Sequence, residues 1–254
     1  MMSQTKIAIV TGGSRGLGKE MALSLGRKNI DVILTYHSRK SDAEQVVSQL
    51  KAMGRQAAAL PLDVGNIASF NAFLSAVQDT LRQNWNTDKF DHFIHNGGIG
   101  ATLPIPTVTE EAFDQLMNIH FKGVYFLTQK AVVHMNDGGC FVFISSGTTR
   151  FCVHGYSVYS SMKGAMEVFS KYVAKEFGAR GIRSNVVAPG ATETDFNNAA
   201  VRSNPQFKGY LASATALGRV GQADDIGDVV AFLCTDDAKW VNGQRIEVTG
   251  GINL

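Results

Sequence analysis

Short apolar runs and longer segments with helical periodicity alternate along the whole chain. Residues 6–11, 31–36, 56–62, 92–95, 140–145, 183–187 and 245–248 are compact, often β-branched stretches, a composition suited to strands covered on both faces. Between them, residues 17–28, 43–53, 67–82, 110–134, 158–177 and 223–234 show helical patterns. Strands that alternate with helices predict βαβ units, and hence an α/β fold built on a doubly wound parallel sheet of about seven strands with helices on both faces. Residues 191–216 break the rhythm, being polar, holding Pro205 and lacking a strand. A variable substrate loop is expected there, as a mobile lid or pocket wall, within a single domain spanning 1–254.

The composition narrows the partners. Of 254 residues, 44% are hydrophobic and 18% charged, a globular balance without the bias of a disordered chain. Net charge is +2 with no basic run, so neither nucleic acid nor an anionic membrane surface is expected as a partner, and small-molecule chemistry is favoured. Cys140, Cys152 and Cys234 lie far apart in sequence without metal-ligand or redox spacing; Cys140 and Cys234 sit in apolar runs and read as buried thiols. His37, His92, His134 and His154 likewise lack partner spacing for a metal, so no metal is expected. The chain enters a strand-like run within a few residues, shows no signal-peptide pattern and holds no apolar stretch of membrane-spanning length. These features predict a cytoplasmic protein.

Two local patterns carry chemistry. Thr11-Gly-Gly-Ser-Arg-Gly-Leu-Gly18 lies where the first strand gives way to the first helix. Glycines at 12, 16 and 18 permit a tight turn and bring backbone N–H groups and the positive helix end up to a pyrophosphate. Tyr159 and Lys163 stand four residues apart in a helical segment, on one face. A cation beside a phenol favours the phenolate, so the pair can act as a general acid/base.

Cofactor choice follows from charge. An NAD-binding chain of this type ends its second strand on Asp or Glu to hold the ribose 2′-hydroxyl. Here that place holds Tyr36-His-Ser-Arg-Lys40, while Asp31 begins the strand. With no carboxylate to repel a 2′-phosphate and with Arg15, Ser38, Arg39 and Lys40 at hand, NADP (NADPH) is the expected cofactor.

Taken together, T-G-x-x-x-G-x-G at 11–18 and Y-x-x-x-K at 159–163 resemble the short-chain dehydrogenase/reductase family over essentially the whole chain. Asp63-Val64 is similar to the family's adenine-contacting pair, and His95-Asn96-Gly97-Gly98 to its N-N-A-G stretch. Phe143-Ile-Ser-Ser146 resembles the strand-end serine motif, at the usual interval from the tyrosine. Pro189-Gly190, followed by Thr192 and Thr194, is similar to the segment beside the nicotinamide. The resemblance implies a single-domain Rossmann fold. It also implies cofactor contacts from Gly12, Ser14, Arg15, Gly16, Leu17, Gly18, Tyr36, Ser38, Arg39, Asp63, Val64, Asn96, Gly97, Gly98, Tyr159, Lys163, Pro189, Gly190, Thr192 and Thr194. In catalysis Tyr159 would move the proton, Lys163 would lower its pKa and bind the nicotinamide ribose, and Ser146 would orient the substrate oxygen.

Two positions depart from the family pattern. His95 replaces the first asparagine of N-N-A-G, with a structural role expected in supporting the cofactor loops. His120, three residues before Gly123, occupies the place of a catalytic asparagine. It is a candidate catalytic residue, its ring relaying protons, or else a packing substitution. Candidate substrate contacts are 97–103, Thr148, Arg150, His154, Tyr156 and 191–216. The C-terminal half resembles 3-oxoacyl-carrier-protein-reductase-like members, with Gly218-Arg-Val-Gly221, Asp224-Asp225 and Thr249-Gly-Gly251. The implied activity is reversible, NADPH-dependent reduction of a ketone or 3-oxoacyl carbonyl, in a homotetramer. The other classes are a catalytically silent NADP-binding scaffold and a non-redox epimerase or dehydratase; Ser146, Tyr159 and Lys163 together favour the reductase.

Overall fold

Continuous apolar runs bury both faces of the central strands, and all seven strands lie in one parallel sheet between two helical layers. The structure, a computed structural model, describes residues 5–254, the side chains of Asn197, Asn198 and Ala200 excepted; the expectation about how the chain begins lies outside these residues. The strands are β1 (Ile7–Val10), β2 (Asp31–Tyr36), β3 (Ala57–Pro61), β4 (Phe90–His95), β5 (Met135–Ile144), β6 (Arg183–Pro189) and β7 (Arg245–Val248). Their spatial order is β3-β2-β1-β4-β5-β6-β7, with every neighbouring pair parallel. The order reverses between β1 and β4, the point at which an open parallel sheet leaves a crevice at the carboxyl ends of its strands.

Side-chain alternation divides the core in two. Ala8, Val10, Val32, Leu34 and Val142 face helices α1 (Gly16–Arg27) and α2 (Lys40–Ala52), joined by α9 (Ala223–Leu233). Ile7, Ile9, Ile33, Phe141 and Phe143 face the other layer, formed by α3 (Phe70–Trp85), α5 (Gly123–Ala131) and α6 (Ser157–Glu176). On the first side the chain brings together residues far apart in sequence. Cys140 Sγ lies 3.2 Å from His92 Nδ1 and 3.7 Å from Cys234 Sγ, all buried. Cys140 and Cys234 are thus the expected buried thiols, while the lack of sequence spacing hid their meeting with His92.

Several element boundaries differ from the sequence pattern, and three of the differences bear on the packing or the site. The helix expected over 110–134 is interrupted: α4 (Glu110–Met117) passes into a π-helical turn, Asn118–Lys122, before α5. Such turns insert an extra residue and re-aim a side chain; here they accompany Gly123, where a Cβ would run into the Val64 carbonyl oxygen. β5 begins at Met135 because that residue pairs with Phe90 across a register irregularity. Residues 191–216 contain two helices, α7 (Phe196–Ser203) and α8 (Pro205–Ser213). Pro205 starts the second, where a missing N–H costs nothing, and the Asn204 side chain caps it by accepting from the Phe207 N–H at 3.0 Å.

Gly123 offers a test of this packing. Alanine is better than glycine in a helix by about 1 kcal/mol, yet at 123 it must displace backbone, which costs about 1–3 kcal/mol or more. Gly123→Ala is expected to lower Tm by roughly 5 °C in a thermal melt; an unchanged or raised Tm would show that the close approach of α5 to Val64 is not required.

Candidate active site

The crevice at the β1/β4 reversal is a cleft of about 1200 Å³, and every catalytic and cofactor-binding residue that the family resemblance implies lines it, His120 included. Its floor is the turn after β1. Gly12 and Gly16 have φ of 66° and 55°, left-handed values that favour glycine. A Cβ on Gly18 would strike the Gly12 carbonyl oxygen and the Asn96 amide. Asn96 braces the turn, donating from Nδ2 to the carbonyls of Thr11 at 2.9 Å and Gly12 at 3.2 Å. Thr11 Oγ1 accepts in return from the Asn96 and Gly97 N–H groups, each at 2.9 Å. At the start of α1 the cap residue, Arg15, makes no side-chain capping bond and the first turn holds no acidic residue. Free N–H groups at the positive helix end suit an anion. The cradle therefore fits a dinucleotide pyrophosphate.

Tyr36, His37, Ser38 and Arg39 line the cleft beyond the end of β2, with Asp63 and Val64 after β3. No carboxylate stands at the end of β2. Arg39 pairs with Asp42 at 3.3 Å, both largely exposed, a contact worth little and easily exchanged for a ligand. Lys40 points elsewhere, pairing with Glu44 at 3.7 Å, and does not line the cleft. His37, 3.9 Å from Asp63, lines it without having been singled out by any motif.

The chemistry sits where β5 ends. Ser146 caps a short turn, Gly147–Thr149, its Oγ accepting from the Thr148 N–H at 3.2 Å and the Thr148 hydroxyl at 2.9 Å. Tyr159 and Lys163 enter from the first turns of α6, both buried. The pair does not touch in the way the four-residue spacing suggests. Lys163 Nζ lies 5.6 Å from the Tyr159 ring centroid and donates to the Ile144 carbonyl at 2.6 Å. Burial raises the phenol's pKa, against a hydrogen bond with Ser146 that lowers it. Burial also pushes Lys163 down to about 8, with the Glu167 carboxylate pulling upward. Desolvation is thus the largest influence on the tyrosine, and it acts upward.

His120 occupies the π-helical turn and is 1% exposed. Its Nε2 lies 2.8 Å from the Ile99 carbonyl, which places the proton on Nε2, and its buried Nδ1 has no partner. The ring meets Tyr159 edge-on, with centroids 5.1 Å apart. Burial, reinforced by the charge on Lys163, lowers the imidazole to about 3. Gly98 makes room: a Cβ there would stand 2.6 Å from the ring's Cε1. His95, expected to bond the cofactor loops, instead faces α5, its Nε2 2.8 Å from Thr128 Oγ1. It stacks on Phe143, and burial takes it to about 3.

The substrate end is more aromatic than the sequence suggested. Phe151, Tyr156, Phe196, Phe207 and Tyr210 line it with Ile99, Val153, His154 and Ile252. Of the expected contacts, Arg150 is absent from the lining; it binds Glu247 and the carbonyls of Ile252 and Asn253. Gly100 to Leu103 also lie outside it. Phe151, Ile252 and Asn253 carry no motif and reach the cleft only through tertiary structure.

Residues 12–253 match the family model described as enoyl-(acyl carrier protein) reductase. The chain is 36% identical to tetrahydroxynaphthalene reductase of Pyricularia oryzae, covering 97% of this chain and 89% of the relative. It is 35% identical to versicolorin reductase 1 of Aspergillus parasiticus, covering 97% and 95%. The angucycline C-6 ketoreductase LanV with bound NADP superposes with a TM-score of 0.93 at 31% identity, covering 98% of this chain and 96% of the other. A second LanV structure, with NADP and rabelomycin, gives 0.89 at 29% over the same shares. The glycine cradle, the buried tyrosine and lysine on α6 and these whole-length matches have one source: the chain belongs to the short-chain dehydrogenase/reductase family.

Proposed function

We propose that the protein reduces a ketone on a planar, polycyclic aromatic substrate to the alcohol, with NADPH as hydride donor. The observation that carries this reading is the meeting of Ser146, Tyr159 and Lys163 at the end of β5, in the same cleft as a dinucleotide cradle. The aromatic wall supports the substrate class, as flat rings stack on such side chains. The relatives named for naphthalene and versicolorin reduction, and LanV with rabelomycin, point the same way.

The turn from Gly12 to Gly18 and the start of α1 hold the pyrophosphate, Asp63 and Val64 the adenine, and Asn96, Gly97 and Gly98 the adjoining backbone. Arg15, Ser38 and Arg39 take the 2′-phosphate. Pro189, Gly190, Thr192 and Thr194 flank the nicotinamide, and Tyr159 and Lys163 its ribose. The bound cofactor supplies a hydride to the carbonyl carbon. Ser146 holds the carbonyl oxygen, and Tyr159 gives that oxygen its phenolic proton, so one hydride and one proton make the alcohol. The Lys163 ammonium stabilises the phenolate left behind. His120 serves as a neutral acceptor through Nδ1, not as an imidazolium. We also read the protein as a cytoplasmic homotetramer. Exposed Val168 and Tyr172 on α6 supply an apolar face, and no helix among the described residues is long and apolar enough to cross a membrane.

Three outcomes are expected. A ketone panel spanning naphthols, anthraquinone-type polyketides, acyl thioesters and simple ketones should show the aromatic compounds reduced with at least tenfold higher kcat/KM, and NADPH preferred to NADH; preference for acyl thioesters or for NADH would reject the respective assignment. Reduction should fall as pH rises through about 8, where Lys163 loses the charge that supports Tyr159, and Tyr159→Phe should lower kcat at least about a hundredfold; a rate flat to pH ~10 would contradict the lysine's role. His120→Ala should lower kcat about tenfold, the worth of about 1.4 kcal/mol of hydrogen bonding, without moving the acidic side of the profile; unchanged turnover at every pH would remove the ring from the mechanism.

A further inference from the structure

Behind the catalytic serine lies a charged network that the reaction as derived does not use. Glu167 follows Lys163 by one helical turn on α6 and is largely buried, its side chain 16% exposed. Three donors converge on its Oε1: the Ser145 hydroxyl at 2.5 Å, the Thr149 hydroxyl at 2.8 Å and Arg245 Nε at 2.8 Å. Arg245, on β7, reaches on to Thr149 Oγ1 at 2.8 Å, to the Ser146 carbonyl at 3.3 Å and to Glu247 at 2.7 Å. Glu247 accepts from Arg150, which donates in turn to the carbonyls of Ile252 and Asn253 at 2.7 and 3.1 Å. Ile252 and Asn253 line the cleft. One chain of ion pairs and hydrogen bonds therefore runs from the substrate wall to the backbone of the catalytic serine.

We propose that Glu167 is a positioning residue for the reaction: held by Arg245, it fixes the Ser145–Ser146 strand end and keeps the ammonium of Lys163 charged.

A carboxylate is costly to bury and is tolerated only with such donors around it. A merely structural staple would need the strand end and the arginine; it would not need to stand one turn from the catalytic lysine. His95, His120 and Tyr159 are titratable neighbours of Lys163. His95 and His120 are held neutral by burial, and Tyr159 is held protonated. Glu167 is the anion opposing the desolvation of Lys163. Beyond it, Arg245 and Glu247 form the next pair outward, with Arg150.

The inference rests on ketone reduction as the activity, so it is read in two ways on the full chain: the alkaline limb of kcat for a reducible ketone, and the pH dependence of NADPH affinity by fluorescence. A chain that binds NADPH but reduces no ketone fails the functional reading and still tests this one. Glu167→Gln should move the alkaline limb, or the fall in NADPH affinity, about one pH unit lower, with an added pH-independent loss in kcat of about threefold from the looser serine. Arg245→Met leaves Glu167 uncompensated, so the limb should move the other way, by about half a unit; this variant decides the matter if Glu167→Gln does not fold. Limbs that stay in place in the folded variants, whatever happens to Tm, would overturn the proposal and leave the network a structural staple.

Discussion

Two ionisable groups buried on one face of a helix set the terms for this protein. Tyr159 and Lys163 are shielded from water by the sheet edge, the π-helical turn and the chain after β6, and each is driven toward its neutral form. A buried phenol is a poor acid unless something charged stabilises its anion. The surrounding architecture supplies that charge: Lys163 carries it, Glu167 on α6 opposes the lysine's desolvation, Ser146 after β5 hydrogen-bonds the phenol, and the neighbouring Ser145 donates to Glu167. Parallel strands bring these pieces together with the glycine cradle because all their carboxyl ends face the same crevice.

Substrate selection comes from a different part of the chain. α7 and α8 contribute Phe196, Phe207 and Tyr210, the turn after β5 contributes Phe151, and the chain end contributes Ile252. The reacting groups thus sit on the sheet and on α6, while the aromatic wall is built by connecting segments, the arrangement by which one scaffold accepts many substrates.

Much of this was legible in the sequence. The strand rhythm gave the sheet, since apolar runs buried on both faces have few other solutions. The glycine spacing, the missing carboxylate after β2 and the Ser146–Tyr159–Lys163 intervals marked out the cleft, because each is a local requirement of backbone geometry or charge. What stayed hidden depends on contacts distant in sequence. The break at Asn118–Lys122 is tied to the Gly123–Val64 approach, and His120's neutrality follows from its burial under Ile99. Arg150, an expected substrate contact, turns toward β7 and the carbonyls of Ile252 and Asn253 instead. The tyrosine–lysine spacing reports proximity along a helix, whereas the upward pull of burial on the phenol is visible only in the folded structure.

Burial raises the pKa of Tyr159, and positive charge beside the phenol, from Lys163 and from a bound nicotinamide, makes it a usable acid. Titration of the tyrosine by ultraviolet difference spectroscopy, in the free protein and with saturating NADP, tests this directly, with Tyr159→Phe identifying the signal. The expected phenol resists ionisation above its ordinary value when free and titrates at least about two pH units lower with NADP bound. An equal titration in both states would contradict it.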